Sequence, residues 1–176
     1  MPPTQRPEST AHVLLLIALT VAVALSRLLP HPPNFSPVEA VALFGGAVFA
    51  SRYVALLVPL AAMLLSDAFL GFHSGMWLIY GCMAVIALAG TFMRGRITAL
   101  RVLGSGIGAA VFFFVVTNFA VWAGSGMYAL SFDGLLTCYV AAIPFFANSL
   151  AGVLVYSLVL FGAHALLTRR SALTTA

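Results

Sequence analysis

Two cysteines are the most reactive side chains in this sequence, and the first of them is suited to bind a soft metal. Cys82 follows Met76, the start of an apolar run, by six positions, which puts it roughly 9 Å below the start of that run in a helix. A thiolate at that depth suits a soft or borderline metal centre. No CxxC or Cys/His spacing accompanies it, so a closed zinc site is not predicted. A metal held in its own macrocycle needs only one protein ligand, and a single cysteine fits that case.

Other polar side chains collect near the ends of apolar runs that share one predicted side of a membrane. The candidates for ligand contact are His31, Asn34, Asp67, Tyr80, Cys82, Asn118, Trp122, Tyr128 and Asn148, with His73 in a turn on the same side. A polar group at membrane depth is costly unless it serves packing or a site, so this grouping predicts a binding site. Plainer explanations stay open, because Trp and Tyr favour membrane interfaces and Asn side chains bond between helices.

The composition places these residues in a membrane protein. Of the 176 residues, 62% are hydrophobic and 7% are charged, whereas about a quarter of the residues in soluble chains are charged. The eight basic residues are all arginines dispersed between long apolar runs. This pattern excludes the dense basic face of a nucleic-acid-binding protein. We expect a single transmembrane domain over residues 1–176.

Six apolar runs predict an all-α integral membrane protein with six transmembrane helices. A spanning helix needs about 20 residues to cross a hydrocarbon layer of about 30 Å. The predicted spans cover approximately residues 12–29, 37–50, 53–70, 76–93, 102–122 and 138–167, with a loop before the last span up to Thr137. Proline-rich and glycine-rich segments separate several of them, since proline cannot continue a helix.

The arginines predict the orientation of these spans. One side receives Arg6, Arg52, Arg94, Arg96, Arg101, Arg169 and Arg170, and the other receives Arg27 alone. Because cytoplasmic loops collect basic residues, both termini are expected in the cytoplasm, with the chain in the bacterial inner membrane. An alternative is that Ala22-Val23-Ala24 marks the cleavage site of a secretory signal, which would leave five spans.

Three features of the chain resemble features of a known protein family. They are the small-residue pair Ala18 and Ala22, the segment His31-Pro-Pro-Asn-Phe-Ser-Pro37 before a short span with Gly45-Gly46, and a cysteine near the outer start of the fourth span. With its size, six spans and inside termini, the chain resembles the S-components of energy-coupling-factor (ECF) vitamin transporters. It most resembles the solitary BtuM-like group, which transports cobalamin.

The resemblance implies a function and a set of residues for it. The pocket would lie in the outer half, between the first outer loop and the last three spans, and would hold cobalamin as bound substrate, with no other cofactor. Cys82 would be the axial cobalt ligand, with Cys138 as the fallback. As a catalytic residue, Cys82 would assist removal of an upper cyano ligand. Besides the vitamin and the lipid bilayer, an ECF coupling module would contact the Ala18 and Ala22 face.

Three other functions stay open at this point. An S-component for a metal-free vitamin would keep the fold and lose the metal. A membrane thiol oxidoreductase would pair Cys82 with Cys138, because both lie toward the oxidising side. An assembly subunit would bind no small ligand, and its outer cavity would be filled by side chains.

Overall fold

The computed structural model describes residues 10–72 and 74–174, which form six α-helices and contain no strand. The helices are α1 (Thr10–Leu25), α2 (Val38–Val48), α3 (Arg52–Leu70), α4 (Met76–Gly90), α5 (Ala99–Gly124) and α6 (Phe132–Thr174). Short 3₁₀ turns at Ser26–Leu28 and Thr91–Met93 extend α1 and α4. The prediction of an all-α protein is confirmed.

Four helices of the described chain are long and apolar enough to cross a membrane. They cover Arg52–Leu70, Met76–Met93, Ala99–Gly124 and Phe132–Thr168. The other two apolar helices, Val13–Leu28 and Val38–Val48, are shorter, at about 24 Å and 16 Å against a hydrocarbon layer of about 30 Å. The helices are therefore those of a membrane protein, with four of spanning length.

Helix α2 is the buried centre of the bundle. All of its residues are buried, and it packs most extensively against α3, α4 and α6. Its approach to α4 depends on glycines: a Cβ on Gly46 would overlap the Ala87 carbonyl oxygen, and one on Gly90 would overlap the Leu43 carbonyl oxygen. Small residues at a helix crossing allow this closeness. The rest of the bundle is arranged around α2.

Helix α6 is longer than the sequence pattern predicts. It starts at Phe132, where the Ser131 hydroxyl accepts a hydrogen bond from the Gly134 amide at 3.2 Å and caps the helix. The predicted loop up to Thr137 is therefore wrong. Polar residues such as Asp133 are tolerated in a helix end outside an apolar layer, so hydropathy alone places the boundary too late. Pro144 lies inside the helix without ending it.

The arginines mark two opposite ends of the bundle. Arg52 begins α3, and Arg94 donates from Nε to the Gly46 carbonyl oxygen at the end of α2, at 2.9 Å. Arg27 lies at the other end of α3, where it pairs with Asp67. Arg6 lies outside the described residues, as do the side chains of Arg169 and Arg170.

The predicted partner face of α1 does not pack inside the bundle. Ala18 and Ala22 are exposed, whereas Leu16 and Thr20 on the opposite face are buried. The Thr20 hydroxyl satisfies itself by donating to the Leu16 carbonyl oxygen at 2.8 Å. The alanine pair therefore belongs to the outer surface of the described helices.

Candidate ligand-binding site

A cavity of about 590 Å³ lies between the first loop, the start of α4, and helices α5 and α6. Its volume is in the range of about 300–1,000 Å³ typical of pockets for drug-sized ligands. These are the elements from which the resemblance implies a pocket. Four aromatic side chains line it, namely Phe113, Phe114, Phe145 and Phe146. The walls suit a flat or bulky apolar surface.

Polar side chains are interspersed among these aromatic rings. Thr117 and Asn118 line the cavity from α5, Ser149 from α6, and Asn34 from the first loop. The Thr117 hydroxyl donates to the Phe113 carbonyl oxygen and the Asn118 Nδ2 to that of Phe114, each at 2.7 Å. Both bonds stay within α5 and use the single hydroxyl proton of Thr117 and one of the two amide protons of Asn118. Both acceptor oxygens and the second N–H of Asn118 can therefore bond to a ligand.

Contacts between α5 and α6 hold the aromatic wall in place. The Phe114 ring lies 5.5 Å from the Tyr139 ring and 4.9 Å from the Phe146 ring, centre to centre. The Tyr139 hydroxyl donates to the Val115 carbonyl oxygen at 2.7 Å. Nearby, the Cys138 thiol lies 3.5 Å from the Asn118 carbonyl oxygen. The fallback cysteine therefore lies beside a cavity-lining residue.

The first loop is fastened to α6 next to the cavity. Asn148 donates from Nδ2 to the Pro33 carbonyl oxygen at 2.9 Å, and the Phe35 ring lies 5.7 Å from the Tyr156 ring. Between these two attachments, Asn34 has a φ of 62°, a left-handed conformation that asparagine tolerates better than most residues. Asn148 thus positions the loop that brings Asn34 to the cavity.

His31 also acts on the loop and does not line the cavity. Its ring nitrogens lie 3.0 Å from the Pro32 carbonyl oxygen and 3.2 Å from that of Arg27. These contacts join the loop to the turn at the end of α1. The side chain itself is exposed.

The Cys82 thiol is packed in the core and does not line the cavity. Its residue is 3% exposed and belongs to the main hydrophobic cluster. Cys82 lies three positions after Ile79 and four positions after Leu78, and both of these residues line the cavity. The three residues therefore share one face of α4. The thiol is one helical turn deeper than these two side chains. A ligand in the cavity would therefore not contact the sulfur in this arrangement.

Both thiols are free in the structure. Cys82 is part of the main hydrophobic cluster and Cys138 is not. Among the described residues, no group of three or more His, Cys, Asp or Glu side chains is arranged to hold a metal ion. A single axial ligand to a metal in a macrocycle would not require such a group.

A second polar site lies across α4 from the cavity. Arg27 pairs with Asp67 at 2.7 Å and donates to the Ser66 hydroxyl at 2.7 Å. The Tyr80 hydroxyl donates to the other carboxylate oxygen of Asp67 at 2.8 Å. We call these four residues the Arg27 cluster. Asp67 and Tyr80, which the sequence suggested as ligand contacts, therefore bond to each other, and Asp67 also pairs with Arg27.

Sequence reasoning names Asp67 but misses Arg27 as its partner. In that reasoning Arg27 only marks topology, although an ionisable residue inside a helix bundle is itself a reason to look for a partner. Glu39 is a further case: it is 1% exposed in the first turn of α2. The sequence signal that could have indicated both residues is that each is an isolated charge in or beside an apolar run.

The remaining predicted contacts lie in the last turn of α5, in the loop after it or outside the described residues. Trp122 donates from Nε1 to the Ala129 carbonyl oxygen at 2.9 Å, which closes that loop. Tyr128 lies within the same loop, partly buried. Neither lines the cavity, and His73 is outside the described residues. Of the nine predicted ligand contacts, Asn34 and Asn118 line the cavity.

The described residues form a helical membrane protein that contains a cavity of about 590 Å³. The chain belongs to the DUF6580 family, described as a family of unknown function, whose match covers residues 7–174. No curated protein and no solved structure matches the chain.

Proposed function

We propose that the protein binds a bulky vitamin, with cobalamin as the substrate, and moves it across the bacterial inner membrane. The observation that carries the proposal is the cavity between the first loop and helices α4, α5 and α6. Its four phenylalanines would cover the apolar face of a macrocycle. The Asn34, Asn118 and Thr117 side chains would bond to amide groups at its edge.

The proposed topology has six membrane segments and cytoplasmic termini. Arg52 and Arg94 lie at one end of the bundle and Arg27 at the other, which supports placing the first two at the cytoplasmic side. Helix α2, although short, is surrounded by other helices and needs no contact with lipid along its length. In this orientation the cavity faces the periplasm.

Cobalamin is larger than a drug-sized molecule, so only part of it would fit within a cavity of about 590 Å³. We propose that one edge of the macrocycle enters between the phenylalanines while the remainder projects past the first loop. Coordination of cobalt by Cys82 would require Leu78 and Ile79 to turn aside. The exposed Ala18 and Ala22 face is the proposed contact with a coupling module.

The test is the absorption spectrum of the purified protein with and without added cobalamin. We expect a ligand-dependent spectrum in the wild type, its loss in Cys82→Ser, and its retention in Cys138→Ser, a matched change of the other buried thiol. An identical bound-state spectrum in Cys82→Ser would rule out Cys82 as the cobalt ligand. Absence of cobalamin binding by the wild-type protein would rule out cobalamin as the substrate.

A second candidate is a vitamin without a metal, and the position of Cys82 favours it. The thiol is packed in the core while the cavity is lined by aromatic, amide and hydroxyl groups, which suffice for an aromatic or heterocyclic ligand. Such a ligand would bind equally well to the wild type and to Cys82→Ser. Binding assays of both proteins with a panel of vitamins would distinguish the two candidates.

A further inference from the structure

Glu39 is a carboxyl group enclosed in the centre of the bundle and only partly satisfied. It is 1% exposed, and its Oε2 has no hydrogen-bond partner among the described residues. An ionised carboxylate in such a place is costly unless it is paired. The group therefore needs either a cation or a proton.

The only arginine at this end of the described bundle is already engaged. The positive charge of Arg27 favours the ionised form of Glu39, but the Arg27 guanidinium is held by Asp67 and Ser66, each at 2.7 Å. With Arg27 and Asp67 neutralising each other, an ionised Glu39 would leave one net negative charge enclosed by apolar helices. A protonated Glu39 leaves none.

Two other influences favour the ionised form of Glu39. Glu39 lies in the first turn of α2, where the helix dipole favours a negative charge, and Arg27 attracts the ionised form. Removal of the proton would thus become favourable if Arg27 turned from Asp67 to Glu39. One guanidinium and two carboxylates make a pair of alternative arrangements, which is the requirement for a switch.

The neighbouring helices supply few other ionisable groups near this point. At the Arg27 end of the packed elements they are Arg27 after α1, His31 in the first loop, Asp67 on α3, Tyr80 and Cys82 on α4, and Tyr156 on α6. His164 on α6 and Arg94 after α4 lie further along α2, beside Phe44 and Gly46. The Arg27 side chain is 19% exposed, so the Arg27 cluster reaches the surface of the bundle.

We propose that Glu39 is a proton-binding site, and that it takes up a proton when Arg27 binds Asp67 and releases it to solvent when Arg27 turns to Glu39. In the structure Arg27 binds Asp67, which is the proton-loaded arrangement. The proposal goes beyond the function suggested above and does not rest on it, because it concerns no substrate.

The sequence allows a direct measurement, because its only glutamates are Glu8 and Glu39. Protein labelled with ¹³C at the glutamate side-chain carboxyl gives two NMR signals, and Glu8→Gln leaves only that of Glu39. We expect this signal to be that of a protonated carboxyl at about pH 6, where an ordinary glutamate is ionised. This measurement leaves the Arg27 cluster unaltered, and a signal of an ionised carboxyl at that pH would overturn the proposal.

The exchange of Arg27 between two carboxylates is tested in the same background. In Asp67→Asn, Arg27 is free to turn to Glu39, and the affinity of Glu39 for its proton should fall by about tenfold to a thousandfold, the usual effect of an adjacent opposite charge. Asp133→Asn, on the exposed start of α6, is the matched control and should change nothing. An unchanged Glu39 titration in Asp67→Asn would rule out the switch. The variant Arg27→Gln tests the coupling between Arg27 and Glu39 in the opposite direction, because it should increase the affinity of Glu39 for its proton.

Discussion

The cavity and the Arg27 cluster are separated by α4, and their polar groups are satisfied in opposite ways. Ile79 lines the cavity, while Tyr80, the next residue, joins the cluster. In the cluster, side chains from three elements bond to one another. In the cavity, the side chains of Thr117 and Asn118 bond only within their own helix.

This difference separates a structural and electrostatic role from a binding role. Bonds between the end of α1, α3 and α4 hold those elements together, and breaking one leaves a charge without a partner. Bonds within α5 hold nothing together across helices, so the acceptor atoms there remain suited to a ligand. We therefore expect changes in the cluster to affect folding and changes in the cavity to affect binding.

The largest effect is expected from breaking the ion pair. Arg27→Met leaves the Asp67 carboxylate without its cation in a mostly buried position, which should lower the free energy of unfolding by about 3–5 kcal/mol. The measurement is unfolding in detergent by denaturant or heat. The double variant Arg27→Met with Asp67→Leu should recover most of the loss, because no unpaired charge remains at that pair.

Arg101→Met is the matched control, since Arg101 is exposed at the other end of the bundle. Its effect should lie within about 0.5 kcal/mol. Equal destabilisation by the two single variants, or no recovery in the double variant, would mean that the cluster does not hold the bundle together.

An intermediate effect is expected from filling the cavity. Thr117→Phe places a large side chain among the four phenylalanines and should weaken ligand binding at least about tenfold, or 1.4 kcal/mol, with little change in stability. Val115→Phe, two positions away on the exposed side of α5, should bind as the wild type does. Titration of both with cobalamin and with metal-free vitamins measures this, and equal binding by both would show that the cavity is not the binding site.

The smallest effect is expected from releasing the first loop. Asn148→Ala removes the donor to the Pro33 carbonyl oxygen and should cost about 1 kcal/mol. Hydrogen exchange at the Phe35 amide, which donates to the Pro32 carbonyl oxygen at 3.0 Å, should become faster. Asn118→Ala, which loses only a bond within α5, should leave exchange at Phe35 unchanged, and if it accelerates exchange as much, the loop is not held by Asn148.

Hydropathy predicted the helices well and their ends less well. The predicted span at 53–70 coincides closely with α3, because both ends carry polar residues next to an apolar run. The predicted loop before residue 138 is helical instead, since the chemistry of Ser131 and Asp133 suits a helix start as well as a loop. Hydropathy measures how readily residues transfer into an apolar layer. It therefore does not detect the part of a helix that extends beyond such a layer.

The site was less predictable than the helices. Asn34 and Asn118 line the cavity as expected, but the four phenylalanines and Thr117 that dominate it lie in runs whose pattern is that of any lipid-facing helix. Cys82 was expected to face a pocket and is instead packed one turn below it. The composition of an all-apolar helix does not indicate which of its faces turns inward.

By itself the sequence determined that the chain is helical and apolar, approximately where its helices lie, and that its arginines divide between two ends. Only the tertiary structure decided which isolated charges meet: Arg27 and Asp67 are 40 positions apart in the chain and 2.7 Å apart in space. The reason is physical. Hydrophobicity acts locally along the chain and can be read from it, whereas an ion pair, a cavity or an enclosed carboxyl such as Glu39 exists only once helices have packed against one another.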